Sequence, residues 1–261
     1  MPTRKEEKAL RQSLLKKTRK KRDFFVVEGE RALAELLKSG WEILKIYALP
    51  QKARKIRSLI PFERTLEVEE LPARKLSELT QTETSPGVLA LVEKRAFSLE
   101  AVAAEKRVLI LDNVRDPGNV GTLLRTARSL GWSGVAMLKG TVELYSPKVV
   151  RATAGALFHL KIAEGILAEE ALDVFKGQSF AIWVADSHSG VSPEEYRGLP
   201  ARPGINQTPS RVALVIGSEA AGVSREMAAK ADQFVKIPLS KEAESLNAAV
   251  SGGILMYLLR N

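Results

Sequence analysis

The sequence contains no cysteine and only two histidines, His159 and His188, among its 261 residues. A chain without thiols forms neither disulfide bonds nor thiolate metal sites. Two histidines are also too few for the usual histidine-rich zinc site. The sequence therefore predicts a protein without a metal centre.

Long hydrophobic runs are missing as well, since no apolar stretch approaches the roughly 20 residues that cross a bilayer. The chain begins Met-Pro-Thr-Arg-Lys-Glu-Glu and lacks the apolar centre of a signal peptide, so we expect a cytoplasmic protein. The dinucleotide fingerprint Gly-x-Gly-x-x-Gly and the Walker A motif are both absent. A dinucleotide or nucleoside triphosphate site therefore has no support.

Positive charge is concentrated in the first third of the chain. Residues 1–97 carry 22 Lys and Arg against 14 Asp and Glu, a net charge of +8, whereas residues 98–261 carry 18 against 17. A basic part joined to a nearly neutral one is typical of polyanion binding by the basic part. The densest basic run supplies the predicted ligands of such a polyanion: Lys16, Lys17, Arg19, Lys20, Lys21 and Arg22. The alternative is a solvated basic tail that aids solubility.

The basic third has the pattern of a small α/β domain. Leucines on one stripe predict a helix over residues 5–21, and a second helix over 30–38 is followed by Gly40. Apolar runs predict strands at residues 24–28, 43–47 and 87–92. We therefore expect a domain over residues 1–97, followed by a polar, alanine-rich linker at 98–105 and a second domain over 106–261.

The second domain alternates strands and helices. Continuous apolar runs predict buried strands at residues 108–111, 134–138, 180–184, 212–216 and 234–237. Helices are expected over about 120–130, where apolar residues form one stripe, and over about 245–259. This order favours an α/β fold with a parallel, doubly wound sheet and helices on both faces.

Three blocks of small and polar residues follow predicted strands. The first contains Asn119 and Arg125, the second contains Gly217, Glu219 and Gly222, and the third runs from Ile237-Pro-Leu to Ser245-Leu-Asn247. The ends of strands in an open α/β sheet are where such folds bind ligands. Each block also has a purely structural interpretation: Asn119 can cap a helix, and Gly217 can make a tight turn.

Together the three ordered blocks resemble the signature motifs of the SpoU (TrmH-type) RNA ribose 2′-O-methyltransferases of the SPOUT superfamily. The spacing of Asn119 and Arg125 and the Gly-x-Glu-x-x-Gly pattern match the family. Residues 25–31 and 85–92 resemble the ribosomal-protein-like domain that precedes many SpoU catalytic domains. The family more often has Met after the proline, where this chain has Leu239, a substitution that conserves volume.

The resemblance implies a fold, a cofactor and a set of site residues. It implies a deep C-terminal trefoil knot, a homodimer whose RNA site draws on both subunits, and S-adenosylmethionine as the methyl donor. The catalytic residues it implies are Arg125, Asn119, Glu219, Ser245 and Asn247. Cofactor contacts are expected from Ala185 at a strand end, Gly217, Ile237, Leu239 and Leu246. Because arginine stays protonated at neutral pH, we expect Arg125 to orient the 2′-hydroxyl and stabilise the developing alkoxide, more than to accept its proton.

Some other motifs carry less weight. Asp186, Ser187 and His188 have the residue types of a hydrolase triad, but adjacent residues on a strand cannot converge on one another. Asp186 is expected at a pocket rim. Arg151 lies in a segment that resembles a family region near the active site, so it is a further candidate RNA ligand.

The predicted function is methyl transfer to a ribose 2′-hydroxyl of structured RNA. Ribosomal 23S RNA is favoured over transfer RNA because this N-terminal domain type is commoner in the ribosomal enzymes. The alternatives are a tRNA ribose methyltransferase, an enzyme that methylates another RNA atom, and a non-catalytic RNA-binding member of the fold.

Overall fold

The computed structural model describes residues 21–80, 85–186, 189–192, 209–219, 221–240, 242 and 245–260. The helix predicted over residues 5–21 lies almost wholly outside them. Within the described part of the chain, no helix is long and apolar enough to cross a membrane. The described residues up to Arg95 form one compact unit together with Glu143–His159, and Ala96–Val142 and the residues from Leu160 onward form a second.

The first unit is built on a four-stranded sheet. Its strands, in the spatial order β1-β4-β2-β3, are β1 (Phe24–Glu28), β4 (Val88–Glu93), β2 (Ile43–Ala48) and β3 (Val68–Glu70). Strand β4 is antiparallel to both β1 and β2, and β3 is parallel to β2. The helices of its N-terminal part are α1 (Glu30–Leu37), α2 (Pro50–Leu59) and α3 (Ala73–Ser77).

Aromatic residues join residues 143–159 to the first unit. The ring of Tyr145 lies 4.6 Å from that of Phe25, and Phe158 packs edge-on against Trp41 at 5.6 Å. The indole N–H of Trp41 donates to the Phe158 carbonyl at 3.1 Å. Buried aromatic groups of this size contribute much of the packing energy of a small core. This segment, expected within a continuous second domain, therefore belongs to the core of the first unit.

The second unit is a six-stranded sheet in which every pairing is parallel. Its spatial order is β10-β8-β9-β5-β6-β7, with β5 (Arg107–Leu111), β6 (Gly134–Leu138), β7 (Lys161–Ile166), β8 (Ala181–Ala185), β9 (Val212–Ile216) and β10 (Gln233–Val235). Its helices are α4 (Leu99–Ala103), α5 (Pro117–Ser129), α7 (Ala168–Gly177), α8 (Arg225–Ala229) and α9 (Ala248–Leu258). The remaining helix, α6 (Pro147–Ala152), lies in the first unit, followed by a 3-10 turn at Ala156–His159.

The apolar runs of β5 and β9 explain their central position. All five residues of β9 are buried, as are four of the five in β5, which is what helices on both faces of a parallel sheet require. In the sheet, β6, the next strand along the chain, lies on one side of β5, and the later strand β9 lies on the other side. This reversal of strand order is the switch point at which open α/β sheets bind ligands.

Several details differ from the sequence prediction. Residues 98–105 are not a linker, since they contain α4, whose Leu99, Val102 and Ala103 pack in the core of the second unit. The helix is only five residues long and its segment contains three alanines, so the apolar stripe is too short to be recognised from the sequence. Helix α5 begins at Pro117, three residues earlier than expected, because Asp116 caps it. Helix α9 begins three residues later, since Asn247 is its cap.

Candidate functional site

A cavity of about 400 Å³ opens where β8, β9 and β10 end. Its volume lies within the roughly 300–1,000 Å³ of small-molecule sites. The walls combine aliphatic side chains with polar groups at Asp186, Ser218, Glu219, Ser245 and Ser251. They include all five residues predicted to contact the cofactor: Ala185, Gly217, Ile237, Leu239 and Leu246. The structure therefore brings these residues together around one space, and their binding role remains a prediction.

A tight turn after β9 forms one wall of this cavity. Ser218 and Gly222 exchange backbone hydrogen bonds of 3.0 and 2.9 Å. Gly222 has a φ of 65°, a conformation that side chains disfavour. A Cβ atom at Gly217 would lie 2.3 Å from the Gly222 carbonyl carbon. The turn therefore requires glycine at both positions, which explains the spacing of the second block.

A buried carboxylate fixes the far end of the same loop. Asp112, 3% exposed, follows β5, and its Oδ2 accepts a hydrogen bond of 2.6 Å from the Ser224 amide. The Asp112 amide donates to the Ile216 carbonyl at 2.9 Å. Charge-assisted bonds of this kind are about twice as strong as neutral ones. Asp112 thus ties the residues after β5 to both ends of the loop after β9.

The polar residues of the three sequence blocks meet in one hydrogen-bonded cluster. The side-chain amides of Asn119 and Asn247 each donate to Oε1 of Glu219 at 2.9 Å. The Asn247 amide also donates to Oδ1 of Asn119 at 2.9 Å. A third donor to the same Glu219 oxygen is the backbone amide of Ala248, at 3.3 Å. Asn119 thus contacts one residue that is 100 positions later in the sequence and another that is 128 positions later. We call Asn119, Glu219 and Asn247 the polar cluster.

Helix capping accounts for one member of the cluster but not another. Oδ1 of Asn247 accepts from the amides of Ala249 and Val250, so Asn247 both caps α9 and holds the cluster. Asn119 is not a cap, because Asp116 accepts from its backbone amide at 2.8 Å and takes that position. The side chain of Asn119 is consequently available to Glu219.

A second cavity, of about 270 Å³, adjoins the first. The two share Ser218, Glu219, Ala221 and Ala248 as walls. The second is otherwise lined by the residues between β5 and α5: Asn113, Val114, Arg115, Asp116 and Asn119. The polar cluster thus lies at the boundary between the two spaces.

Two of the predicted catalytic residues lie apart from this cluster. Arg125 is exposed on α5, six residues or about 9 Å along the helix from Asn119, and is absent from the described walls of both cavities. Ser245 lies in the wall of the larger cavity, whereas the sequence predicts it on the substrate side. A single protomer therefore assembles three of the five predicted catalytic side chains.

The predicted RNA ligands are only partly within the described residues. Lys16, Lys17, Arg19 and Lys20 lie outside them, Lys21 is exposed and Arg22 is half-buried. Arg151 belongs to the first unit, where its Nη1 lies 3.6 Å from Oε2 of the buried Glu28. An ion pair with a buried carboxylate is a structural contact, and the RNA contact of Arg151 remains a prediction.

Comparison with known families identifies both parts of the chain. Residues 106–257 match the SpoU rRNA Methylase family, and residues 5–90 match the MRM3-like substrate binding domain. The chain belongs to the SpoU rRNA Methylase family. This confirms the resemblance drawn from the three sequence blocks and the expected α/β fold with a parallel sheet.

Relatives of this SpoU family protein match it over nearly its whole length. The 23S rRNA (guanosine(2553)-2′-O)-methyltransferase RlmP of Bacillus subtilis is 32% identical over 247 residues, which are 94% of this chain and 92% of the relative. The SpoU methyltransferase AviRb of Streptomyces viridochromogenes, solved in complex with AdoMet, is 25% identical with a TM-score of 0.81, covering 97% of this chain and 96% of the other. An AdoMet-bound rRNA methyltransferase from Sinorhizobium meliloti is 27% identical with a TM-score of 0.81, covering 97% and 93%.

Sequence reasoning on this SpoU family protein missed two residues that the structure places at the site. Asp112 and Arg115 both follow β5, in the segment Asp112-Asn-Val-Arg-Asp-Pro ahead of α5. Polar residues directly after a buried strand are a signal of an exposed ligand-binding loop. The same signal covers the residues before Asn119 and could have identified both. Within the described residues there is no group of three or more His, Asp or Glu side chains that could hold a metal ion.

Proposed function

We propose that the protein transfers a methyl group from S-adenosylmethionine to a ribose 2′-hydroxyl of RNA, with 23S ribosomal RNA as the favoured substrate. The observation that carries the proposal is the polar cluster at the edge of the larger cavity, built from one residue of each sequence block. The relative from Bacillus subtilis, named as a 23S rRNA 2′-O-methyltransferase, supports the choice of substrate.

The larger cavity fits the proposed cofactor by its chemistry. Aliphatic side chains such as Ile216, Ile237 and Leu246 offer apolar walls to an adenine ring. Asp186 at the rim offers a carboxylate to ribose hydroxyls or to a positively charged group. When bound, S-adenosylmethionine supplies an electrophilic methyl group on a sulfonium. The glycine-rich turn at 217–222 lets backbone approach such a ligand closely.

The polar cluster orients the reacting groups. Glu219 holds the side-chain amides of Asn119 and Asn247 in place, so neither has to be ordered when RNA arrives. Arg125 stabilises the negative charge that develops on the ribose oxygen, a role suited to a permanently charged guanidinium. Catalysis then rests mainly on positioning.

We also propose a homodimer formed through α9. This helix is apolar on nearly all sides, as expected of a helix that is covered on all sides. One face packs in the second unit, yet Val250 is 50% exposed, Ile254 36% and Tyr257 45%. These three residues are spaced 250, 254 and 257, along one stripe of the helix. A second copy covering this apolar stripe would also explain how Arg125, remote from the cluster in its own protomer, reaches an active site.

Two further elements of the proposal rest on the family resemblance and on charge. The C-terminal segment forms the trefoil knot of SPOUT domains. The basic residues of the first 97 positions, including Lys16, Lys17, Lys21 and Arg22, bind RNA phosphates. The protein acts in the cytoplasm, where ribosomal RNA is its substrate.

The experiment is transfer of labelled methyl groups from S-adenosylmethionine to in vitro-transcribed 23S rRNA, followed by nuclease digestion and mass spectrometry. A 2′-O-methylated nucleoside is expected, and fragment mapping locates it. Methyl groups on a base would contradict the proposed chemistry, and labelling of tRNA alone would contradict the substrate. Cofactor binding without transfer to any RNA would favour the non-catalytic alternative.

Arg125→Ala tests the role of the arginine in the same assay. We expect transfer to fall by at least about 100-fold, because the charge that stabilises the developing oxyanion is lost. The affinity for S-adenosylmethionine, measured by calorimetry, should stay at the wild-type value. The exposed Arg128, one turn further along α5, provides the control variant Arg128→Ala. Retention of full activity in Arg125→Ala would remove the role assigned to this residue.

A further inference from the structure

The second cavity has no assigned ligand, although it adjoins the proposed methyl-donor site. It shares Ser218, Glu219, Ala221 and Ala248 with the larger cavity, so a ligand in either space contacts the same wall. Its opposite side is the segment from Asn113 to Asp116, after β5. A methyl acceptor has to approach the donor from a neighbouring space, and the second cavity provides one within a single protomer.

Arg115 is the only cation in the described walls of the two cavities. Its Nε donates a hydrogen bond of 3.0 Å to Oδ1 of Asn113, which holds the inner end of the guanidinium. The two terminal nitrogens make no hydrogen bond to any described residue, and the side chain is exposed. The guanidinium therefore presents its outer edge, with four N–H groups, toward solvent at the second cavity.

The backbone around Arg115 is itself fixed. Asn113 adopts a left-handed conformation with a φ of 57°, which asparagine tolerates better than most residues. A Cβ atom on Gly140 would lie only 2.9 Å from Oδ1 of Asn113, so this glycine makes room for the side chain that holds Arg115. The Val142 amide donates to the Val114 carbonyl at 3.0 Å, which attaches the segment to the loop after β6. Arg115 is thus held in place before any ligand binds.

The two carboxylates in the walls of the second cavity, Asp116 and Glu219, are already engaged. Oδ1 of Asp116 accepts from the Asn119 amide and lies at the N-terminus of α5. Oε1 of Glu219 accepts from three donors. Their charges are therefore partly offset, whereas the outer edge of Arg115 is not. The guanidinium fork matches the oxygens of a phosphodiester.

We propose that the second cavity takes the target ribose and that Arg115 binds the phosphodiester next to it. This inference rests on the proposed function, since it names the place of the RNA acceptor at the same site. A ribose at the polar cluster carries its flanking phosphates on its own 3′ and 5′ oxygens, and Asn119, Glu219 and Arg115 line the same cavity, so one of these phosphates would lie within reach of the guanidinium. Arg115 then fixes the register of the RNA strand, while Arg125 serves the reacting oxygen.

The test measures binding and turnover of in vitro-transcribed 23S rRNA by the full chain. Arg115→Ala should raise KM about tenfold, the effect of losing one charge-assisted contact, with a much smaller change in kcat. The slope of log binding constant against log salt concentration should become shallower by about 0.7–0.9, as expected for one lost phosphate contact. Arg115→Lys keeps the charge without the fork and should fall between Arg115→Ala and the wild type.

Two more variants separate position from charge. Asn113→Gly keeps the left-handed backbone but frees the guanidinium, so KM should rise while the salt slope changes little. Lys106→Gln removes an exposed cation just before β5, at the end of the strand that is opposite to the cavities. It should leave KM and the salt slope of binding at their wild-type values. Calorimetric binding of S-adenosylmethionine should be unchanged in all four variants.

The outcomes distinguish this inference from the proposed function. If the wild type methylates ribose and Arg115→Ala behaves like Lys106→Gln, the inference is overturned and the function stands. If no variant or wild-type protein transfers methyl groups, the function fails, and the salt slope still decides whether Arg115 contacts phosphate. A loss of cofactor affinity in Arg115→Ala would overturn the inference by placing Arg115 at the donor site.

Discussion

Glu219 shows how a single side chain can connect three distant parts of a sequence. One carboxylate oxygen accepts from Asn119, Asn247 and the Ala248 amide, so removal of the carboxylate would take a shared acceptor from all three and leave the side-chain amide of Asn247 only its bond to Asn119. Glu219 and Asn247 are exposed and Asn119 is half-buried, so water can satisfy donors that lose these bonds, and the cluster fixes the orientation of its side chains more than it stabilises the fold. Substitutions within the polar cluster should therefore affect turnover more than cofactor binding.

Asn247→Ser separates the structural from the catalytic role of Asn247. Serine caps helices about as well as asparagine, so α9 keeps its cap and the unfolding free energy should fall by less than about 1 kcal/mol. The donors to Asn119 and Glu219 are lost, and we expect methyl transfer to fall roughly 100-fold through misplacement of the remaining groups. Denaturant titration and the methyl-transfer assay provide the two measurements.

The matched control is Ser98→Ala, which removes the cap of α4 outside the site. It should lower the unfolding free energy by about 1 kcal/mol and leave turnover unchanged. Wild-type activity in Asn247→Ser would show that the cluster is a structural feature only.

Among the elements, α5 and α9 pack closely because α9 contains adjacent glycines. A Cβ atom on Gly252 would lie 2.3 Å from Cδ2 of the buried Leu123, whereas a Cβ on Gly253 has Thr126 Cγ2 at 3.4 Å as its nearest neighbour. Gly252→Ala should therefore destabilise the protein by about 1–3 kcal/mol through overpacking. Gly253→Ala should be neutral or stabilising, by up to about 1 kcal/mol, because alanine favours helix. Thermal unfolding of the pair measures the difference, and equal melting temperatures would contradict this account of the contact.

Helices α1 and α2 are connected by an ion pair that depends on pH. Lys52 and Lys55 on α2 donate to the two oxygens of Glu30, at 2.7 and 2.6 Å. The hydrogen bond from Lys52 is the largest cause that lowers the pKa of Glu30 to about 2 from its ordinary 4.5. A lowered pKa stabilises the folded state above pH 4.5, and the stabilisation is lost as the pH falls from 4.5 toward 2.

Glu30→Gln should remove this part of the pH dependence. Its effect at neutral pH should be about 1 kcal/mol or less, since the pair is partly exposed. Hydrogen exchange of α1 amides, measured between pH 3 and 6 and corrected for intrinsic rates, should slow less steeply with rising pH in Glu30→Gln than in the wild type. The exposed Glu63→Gln is the control, and identical profiles for Glu30→Gln and the wild type would show that the ion pair contributes nothing.

Strands were easier to predict than the ends of helices. The predicted strand at Val212–Ile216 agrees with the structure at both ends. Five consecutive apolar residues between Arg211 and Gly217 are typical of a short buried strand. Asp116 is hard to recognise as a helix cap from the sequence, because Pro117 and Gly118 follow it and both disfavour the interior of a helix. Proline is nevertheless favoured at the first helical position, which Pro117 occupies. The polar cluster could be predicted only as a set of residues, since the bonds among its members depend on how β5 and β9 pair.

At the scale of the whole molecule, the exposed apolar stripe of α9 (Val250, Ile254 and Tyr257) is the surface on which the proposed dimer depends. Ile254→Arg places a charge in the middle of the exposed stripe of α9 and should convert the proposed dimer to a monomer, because burying an unpaired charge costs several kcal/mol. Sedimentation velocity measures the mass, and the methyl-transfer assay should show activity lost together with the dimer. Leu167→Arg, on an aliphatic side chain that is 46% exposed elsewhere in the second unit, should leave both unchanged. A wild-type protein that sediments as a monomer would contradict the proposed assembly.

The path of the chain has a consequence for how such proteins can be recombined. Residues 143–159 come from the middle of the catalytic sequence, yet Tyr145 and Phe158 complete the aromatic core that contains Phe25 and Trp41. The chain therefore passes between the two units three times. An exchange of the first unit between family members has to transplant two stretches of sequence together. A chimera joined only near residue 97 would combine the aromatic residues of one parent with the unmatched core of the other.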